Sequence, residues 1–116
     1  MIDILNDNET DFIGKVGVVS RIDQTRPILF SAKIIDYLLT NGREVRIEHR
    51  LAHKLTELKN NPELNTIIDE IKENYPEIAE SLNDINFNIN YEQLAEPVFE
   101  FECDMAVILG GDGTLL

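Results

Sequence analysis

The sequence predicts an open, three-layer α/β domain on a mainly parallel sheet, with a helical insertion. Three observations carry that expectation. Lys15–Ser20 and Met105–Leu109 are short β-branched or apolar runs bounded by turn signals, as buried central strands are. The first run leads into an amphipathic helical stretch and then a second strand-like run, the unit from which parallel sheets are built. The last run passes straight into glycines, so a turn is expected at the carboxyl end of the sheet.

Residues 1–14 read as a polar lead-in, with Ile4, Leu5, Phe12 and Ile13 as candidate anchors. Residues 15–116 form the α/β domain. After the first strand, Arg21 to Pro27 is a polar loop. Pro27 suits a helix start, where its missing N–H costs nothing. Ile28, Ala32, Ile35 and Leu39, with Leu38 beside them, then make one apolar helical face. Gly42 of Asn41-Gly42 suits the left-handed position that ends a helix. Glu44 to Glu48 alternates strictly, as a half-exposed strand near a sheet edge does.

The next stretch is mostly helical. Leu51, Leu55 and Leu58 share a face of a helix from about Arg50 to Lys59. Asn61-Pro62 opens a second helix, in which Leu64, Ile67, Ile68 and Ile71 keep the helical period as far as Tyr75. Pro76 stops it and opens a third, with Ile78, Ala79 and Leu82 facing inward. Phe87, Ile89 and Tyr91 alternate with Asn88 and Asn90, which fits either a short strand or an extended loop.

Twenty-two acidic residues against ten basic ones leave a net charge of −12. With no basic run, a nucleic-acid partner and an anionic membrane surface are not expected. A small phosphorylated ligand is compatible, because loop geometry can hold phosphates whatever the global charge. Cys103 is the single cysteine, so no disulfide framework or multi-cysteine metal site is expected; its reading is a small buried thiol. The longest apolar runs, such as Ala106 to Leu109, fall far short of a membrane span. The N-terminus lacks the basic start and apolar stretch of a secretory signal, and a cytoplasmic, reduced setting is expected.

The chemistry sits in Gly110-Gly111-Asp112-Gly113-Thr114. Glycines let backbone N–H groups turn toward an anion and let the chain approach it closely. Ligands of open α/β folds bind at the carboxyl edge, where this turn falls. Asp112 is repelled by phosphate, so a task is expected of it: accepting a proton from an attacking hydroxyl, or engaging Mg²⁺. A purely structural Gly-Asp-Gly turn is the alternative. A P-loop is excluded, as no Gly-x-x-x-x-Gly-Lys-Ser/Thr occurs. The dinucleotide fingerprint at the first turn is also absent, since no glycine lies between Gly17 and Gly42.

Asp104 to Leu116 resembles the strand and Gly-Gly-Asp-Gly loop of NAD kinases. Lys15 to Ser20, the helix through Leu39, Asn41-Gly42 and Glu44 to Glu48 resemble that family's opening elements. The resemblance covers residues 15–48 and 103–116; residues 49–102 carry no such signature and read as a variable helical insertion. Diacylglycerol and sphingosine kinases and 6-phosphofructokinases carry similar loops. Leu115-Leu116, where the lipid kinases tend to have Asn-Glu, favours NAD kinase, as does the lack of an Asn-Pro turn after the first strand.

The resemblance implies a Rossmann-like or flavodoxin-like N-terminal domain. It implies phosphorylation of the adenosine ribose 2′-hydroxyl of NAD by ATP or polyphosphate with Mg²⁺, giving NADP. Asp112 would be the proton acceptor, and Gly110, Gly111, Gly113 and Thr114 would shape the loop around the phosphates. The family's site also uses a second, mostly β domain and a later Asn-Glu motif. The chain is therefore expected to be an N-terminal fragment, inactive alone, and apolar surface left bare beyond the loop is expected to drive self-association.

Four other features are weighed. His49 and His53, with Glu57 continuing the stripe, have a spacing compatible with zinc but read as a solvated helix face. Arg21, Asp23 and Arg26 lie at the same sheet edge as the glycines; a nucleotide contact by one of them stands second to a solvated loop. The acidic stretch Asp69 to Glu80, interleaved with core isoleucines, reads as the outer face of helices. The second class of function kept open is a non-catalytic α/β module whose glycine loop binds a nucleotide or only turns the chain.

Overall fold

The computed structural model describes residues 14–97 and 102–110. The order is β1 (Lys15–Ser20), α1 (Thr25–Thr40), β2 (Glu44–Glu48), α2 (His49–Lys59) and α3 (Leu64–Asn74). Two 3-10 helices follow, Pro76–Leu82 and Tyr91–Leu94, and then β3 (Ala95–Glu96) and β4 (Met105–Leu109). The four strands form one sheet in the order β3-β2-β1-β4, every pair parallel. The predicted α/β fold is the one observed.

Register shows which side chains share a face. Val16 and Val18 lie opposite Val45 of β2 and Met105 and Val107 of β4, with Ile47 beside Val18. Val16, Val18, Val45 and Ile47 are fully buried and join Leu29, Ala32, Ile35, Leu51 and Leu55 in one core. The crossovers β1-α1-β2 and β2 to β3 step the same way across the sheet, so right-handedness puts both on this face. The opposite face carries a charged half, where Arg46 meets Glu44 at 2.7 Å and Glu96 at 3.3 Å. Its other half is apolar, with Ile108 56 % exposed.

Several expectations need correction. β4 is not buried: it is the sheet's outer strand, with Met105, Ala106 and Ile108 exposed, because only β1 flanks it among the described residues. Cys103, just before it, is accordingly half-buried. No residue of α3 is fully buried, since it packs at the rim of the core against the first 3-10 helix rather than on the sheet. The isoleucines among its acidic residues are therefore rim rather than core. Ile78 and Ala79 are likewise only partly covered, whereas Leu82 is buried. On α1, Leu29 and Leu38 take the inner positions and Leu39 stays partly exposed. The segment around Phe87 and Ile89 is the extended loop of the two alternatives, and the local strand falls instead at Ala95–Glu96.

Helix ends differ by a residue or two from expectation, for legible reasons. α1 starts at Thr25, two residues before Pro27. Asn61 precedes α3 as a turn, its Oδ1 accepting from Glu63 N–H at 2.8 Å. Gly42 does take the left-handed conformation, φ +79°, and Arg43 N–H closes on Leu38 C=O at 2.9 Å. The residues of the lead-in, 1–13, lie outside the described residues.

Two carboxylates hold the framework. Glu48, 1 % exposed, ends β2 and caps α2: it accepts from Arg50 N–H at 2.9 Å, Leu51 N–H at 3.4 Å and Arg50 Nε at 3.1 Å. Burial opposes its ionisation, but those donors together hold its carboxyl below the ordinary value of 4.5. Asp104 accepts from Gly14 and Lys15 N–H at 2.9 and 3.0 Å, pinning β4 to β1 at the amino edge. Lys15 N–H first and then Gly14 N–H lower its pKa.

One polar group is buried without reward. Among the described residues the Tyr91 hydroxyl finds no hydrogen-bond partner, and burial, with Asp36 nearby, pushes its pKa up.

Replacing Glu48 with Ala should cost about 1–2 kcal/mol in urea unfolding, the upper part of the range for a lost helix cap. Because a depressed carboxyl stabilises only while ionised, Glu48 contributes fully above pH 4.5 and loses its contribution as pH falls through its lower folded value. Glu48→Gln should therefore flatten the acid limb of the stability profile. Tyr91→Phe should be neutral or stabilise by up to about 1 kcal/mol, since it removes an unpaired buried hydroxyl and keeps the ring.

Candidate functional site

Parallel pairing aligns the carboxyl ends of β1 and β4, and two loops meet there. Ser20 lies opposite Leu109, and Arg21 N–H extends the ladder by donating to Leu109 C=O at 3.1 Å. Of the predicted motif residues, Gly110 is described; Gly111, Asp112, Gly113 and Thr114 lie outside the described residues. Gly110 is buried and has φ +79°, a conformation that L side chains rarely adopt. A Cβ there would overlap Arg21 Cγ and lie 3.0 Å from both Arg21 Cδ and Pro27 Cβ. Conformation and space both demand glycine at this position.

The Arg21 side chain thus lies across Gly110, and its head is held by Asp23. Nε and Nη2 donate to the two Asp23 oxygens at 2.9 and 2.8 Å. That fork lowers the Asp23 pKa. Arg26 turns elsewhere, its guanidinium 4.3 Å from the centroid of the Tyr75 ring. The sequence grouped Arg21, Asp23 and Arg26 as a solvated loop; the structure separates them into an ordered Arg21–Asp23 pair at the glycine and an Arg26 on an aromatic face. Nothing in the sequence pattern marks Arg21 as the residue over Gly110, because that contact depends on β4 pairing with β1.

On the β2 side of the same loop is an open cleft of about 330 Å³. Ile22, Ile28, Leu58 and Ile67 make its apolar walls, with Asp23 and Lys54 among its polar ones. Lys54 lies 3.7 Å from Glu57. Asp23 therefore belongs both to the cleft and to the pair beside the glycine.

The histidines belong to α2, which follows β2, rather than to the two segments that meet at Gly110. His53 sits between Glu57 at 3.2 Å and Glu92 at 3.4 Å, and His49 lies 3.2 Å from Glu48. Both are largely exposed, and no group of three ligating side chains occurs among the described residues. Both lie on the solvent-facing side of α2. No helix among the described residues is long and apolar enough to cross a membrane.

Comparison with known proteins gives one kind of relative. NAD kinases from Buchnera aphidicola subsp. Acyrthosiphon pisum, strains Tuc7, 5A and APS, are each 29 % identical to the chain over 101 residues, or 87 % of it. The chain spans about a quarter of their length, 24 %. A match of that extent takes in residues 49–101, the stretch that carries no signature of its own. No family model matches the chain, and no solved structure matches it. The similarity is distant, and it is to a kinase-type family.

Gly110→Ala should destabilise the protein by about 1–3 kcal/mol, combining left-handed strain with the overlap against Arg21. In a double-mutant cycle, Arg21→Ala should relieve the overlap with Arg21 and leave the Pro27 contact and the conformational part, giving a coupling above about 0.5 kcal/mol. Urea unfolding of the four proteins measures it.

Proposed function

We propose that this chain carries the α/β part of an NAD kinase, with its nucleotide phosphates at the carboxyl edge of β1 and β4. The observation that carries the reading is the distant similarity to NAD kinases over 87 % of the chain, combined with a parallel strand that runs into a glycine only glycine can occupy. The reaction is transfer of a phosphoryl group from ATP, or polyphosphate, to the 2′-hydroxyl of the adenosine ribose of NAD. Asp112 accepts the hydroxyl proton as the ribose oxygen attacks phosphorus. The bond from phosphorus to the donor's bridging oxygen breaks, and ADP or shortened polyphosphate leaves with the electron pair.

The donor set suits a metal that arrives with its phosphates. Mg²⁺ keeps several waters and takes one or two carboxylates plus phosphate oxygens, so it asks for no protein cage. Mg²⁺ would be held chiefly by phosphate oxygens and waters, leaving Asp112 to accept the proton, and would neutralise charge on the transferred group. A cytoplasmic location, supplied with NAD and ATP, fits this reaction, and self-association through the apolar half of the sheet belongs to the same reading.

The glycine loop is shared with lipid and sugar kinases, so the acceptor must be tested directly. NADP formation from NAD, ATP and Mg²⁺ is measured for the chain and for its reading frame continued to the natural stop, beside diacylglycerol and fructose 6-phosphate as acceptors. NADP is expected from the continued reading frame and not from the chain alone, and Asp112→Asn in the active protein should lower kcat about 10²- to 10⁴-fold, the range of a lost general base. Phosphorylation of the lipid or sugar instead would overturn the acceptor, and undiminished activity in Asp112→Asn would remove its assigned role.

A further inference from the structure

We propose that Arg21 is a phosphate-binding residue of this edge, its guanidinium oriented by Asp23 to contact phosphoryl oxygens of the nucleotide held at Gly110. The inference rests on the nucleotide-kinase reading and adds to it a residue from the opposite end of the chain.

The root of the side chain is fixed first. Arg21 N–H is bonded to Leu109 C=O, and the Cγ–Cδ stem passes over the Cα of Gly110, where any Cβ would displace it. The head is fixed next: Asp23 accepts from both Nε and Nη2, which sets the plane of the fork. A guanidinium held in this way is preorganised, so less side-chain entropy is lost when it meets an anion. The side chain is 33 % exposed and is reached from solvent.

Electrostatics supplies the reason for a cation here. The chain carries a net charge of −12, and a polyphosphate brings more negative charge to it. Attraction at short range must offset that repulsion, and it comes from cations within a few ångströms of the phosphates. Other cations are engaged elsewhere: Arg26 lies on the Tyr75 ring, Lys54 pairs with Glu57 on the same helix, and Lys15 sits near Glu44 at the far end of β1. Arg21 is the cation whose stem touches Gly110.

A stem-only role would predict a different outcome from a phosphate contact, and two variants separate them. Arg21→Met keeps an unbranched stem over Gly110 and removes the charge. Arg21→Lys keeps the stem and charge and removes the planar fork. Affinities for inorganic tripolyphosphate, ATP and adenosine are measured by titration calorimetry, with thermal unfolding of each protein. Arg21→Met should weaken tripolyphosphate and ATP by about tenfold or more, as expected for hydrogen bonds to a charged group, and leave adenosine unchanged. Arg21→Lys should fall in between.

Wild-type affinity for tripolyphosphate in a folded Arg21→Met would overturn the proposal and leave the nucleotide reading standing. If Arg21→Met fails to fold, Arg21→Lys decides, and affinity equal to wild type in that variant overturns it. Failure of the wild-type protein to bind either tripolyphosphate or ATP would overturn the nucleotide reading and this proposal together.

Discussion

The parallel pairing of β4 with β1 is the constraint on which the rest depends. The two strands are remote in sequence, yet their ladder is closed at both ends. At the amino edge Asp104 N–H donates to Lys15 C=O and its carboxylate collects Gly14 and Lys15 N–H; at the carboxyl edge Arg21 N–H donates to Leu109 C=O. Closing a loop of that length costs entropy that only non-local contacts return. Once it is closed, the position of Gly110 is dictated, and the loop after β1 becomes one wall of the same edge. Because β1 also pairs with β2, the core under Val16 and Val18 is built by the same strand that positions the site.

Polar chemistry divides between the two edges. At the amino edge, Asp104 has its ionisation stabilised by backbone N–H groups and serves to hold strands together. At the carboxyl edge, Glu48 does comparable work for α2, whereas the Arg21–Asp23 pair lies against Gly110. Exposed ion pairs of this kind add little stability.

Local patterns in the sequence revealed the elements well and their surroundings less well. Val16 and Val18, Ile28, Ala32 and Ile35 on α1, the leucines of α2 and Gly42 are short-range signals, and each lies where its periodicity or turn chemistry indicates. β4 shows the limit. Met105–Leu109 is apolar enough for a central strand, but burial depends on what stands beside it, which composition does not carry. The isoleucines of α3 mark a helix face correctly and say nothing about whether that face meets the sheet or the rim. β3 was illegible because two residues have no period. In the candidate site, the need for glycine at residue 110 was readable from the motif, whereas the partner enforcing it, Arg21, was readable only as a loop residue. The contact joins opposite ends of the chain and has no local signature.

The central claim is that phosphates bind at the carboxyl edge of β1 and β4, and amide NMR tests it most directly. In a titration of the ¹⁵N-labelled protein with ATP and Mg²⁺, the account predicts the largest shifts at the amides of Arg21 and Gly110. Gly14, Lys15 and Asp104, at the other end of the same strands, should stay unmoved. Shifts centred on that amino edge, or on the helix face carrying His49 and His53, would contradict the account.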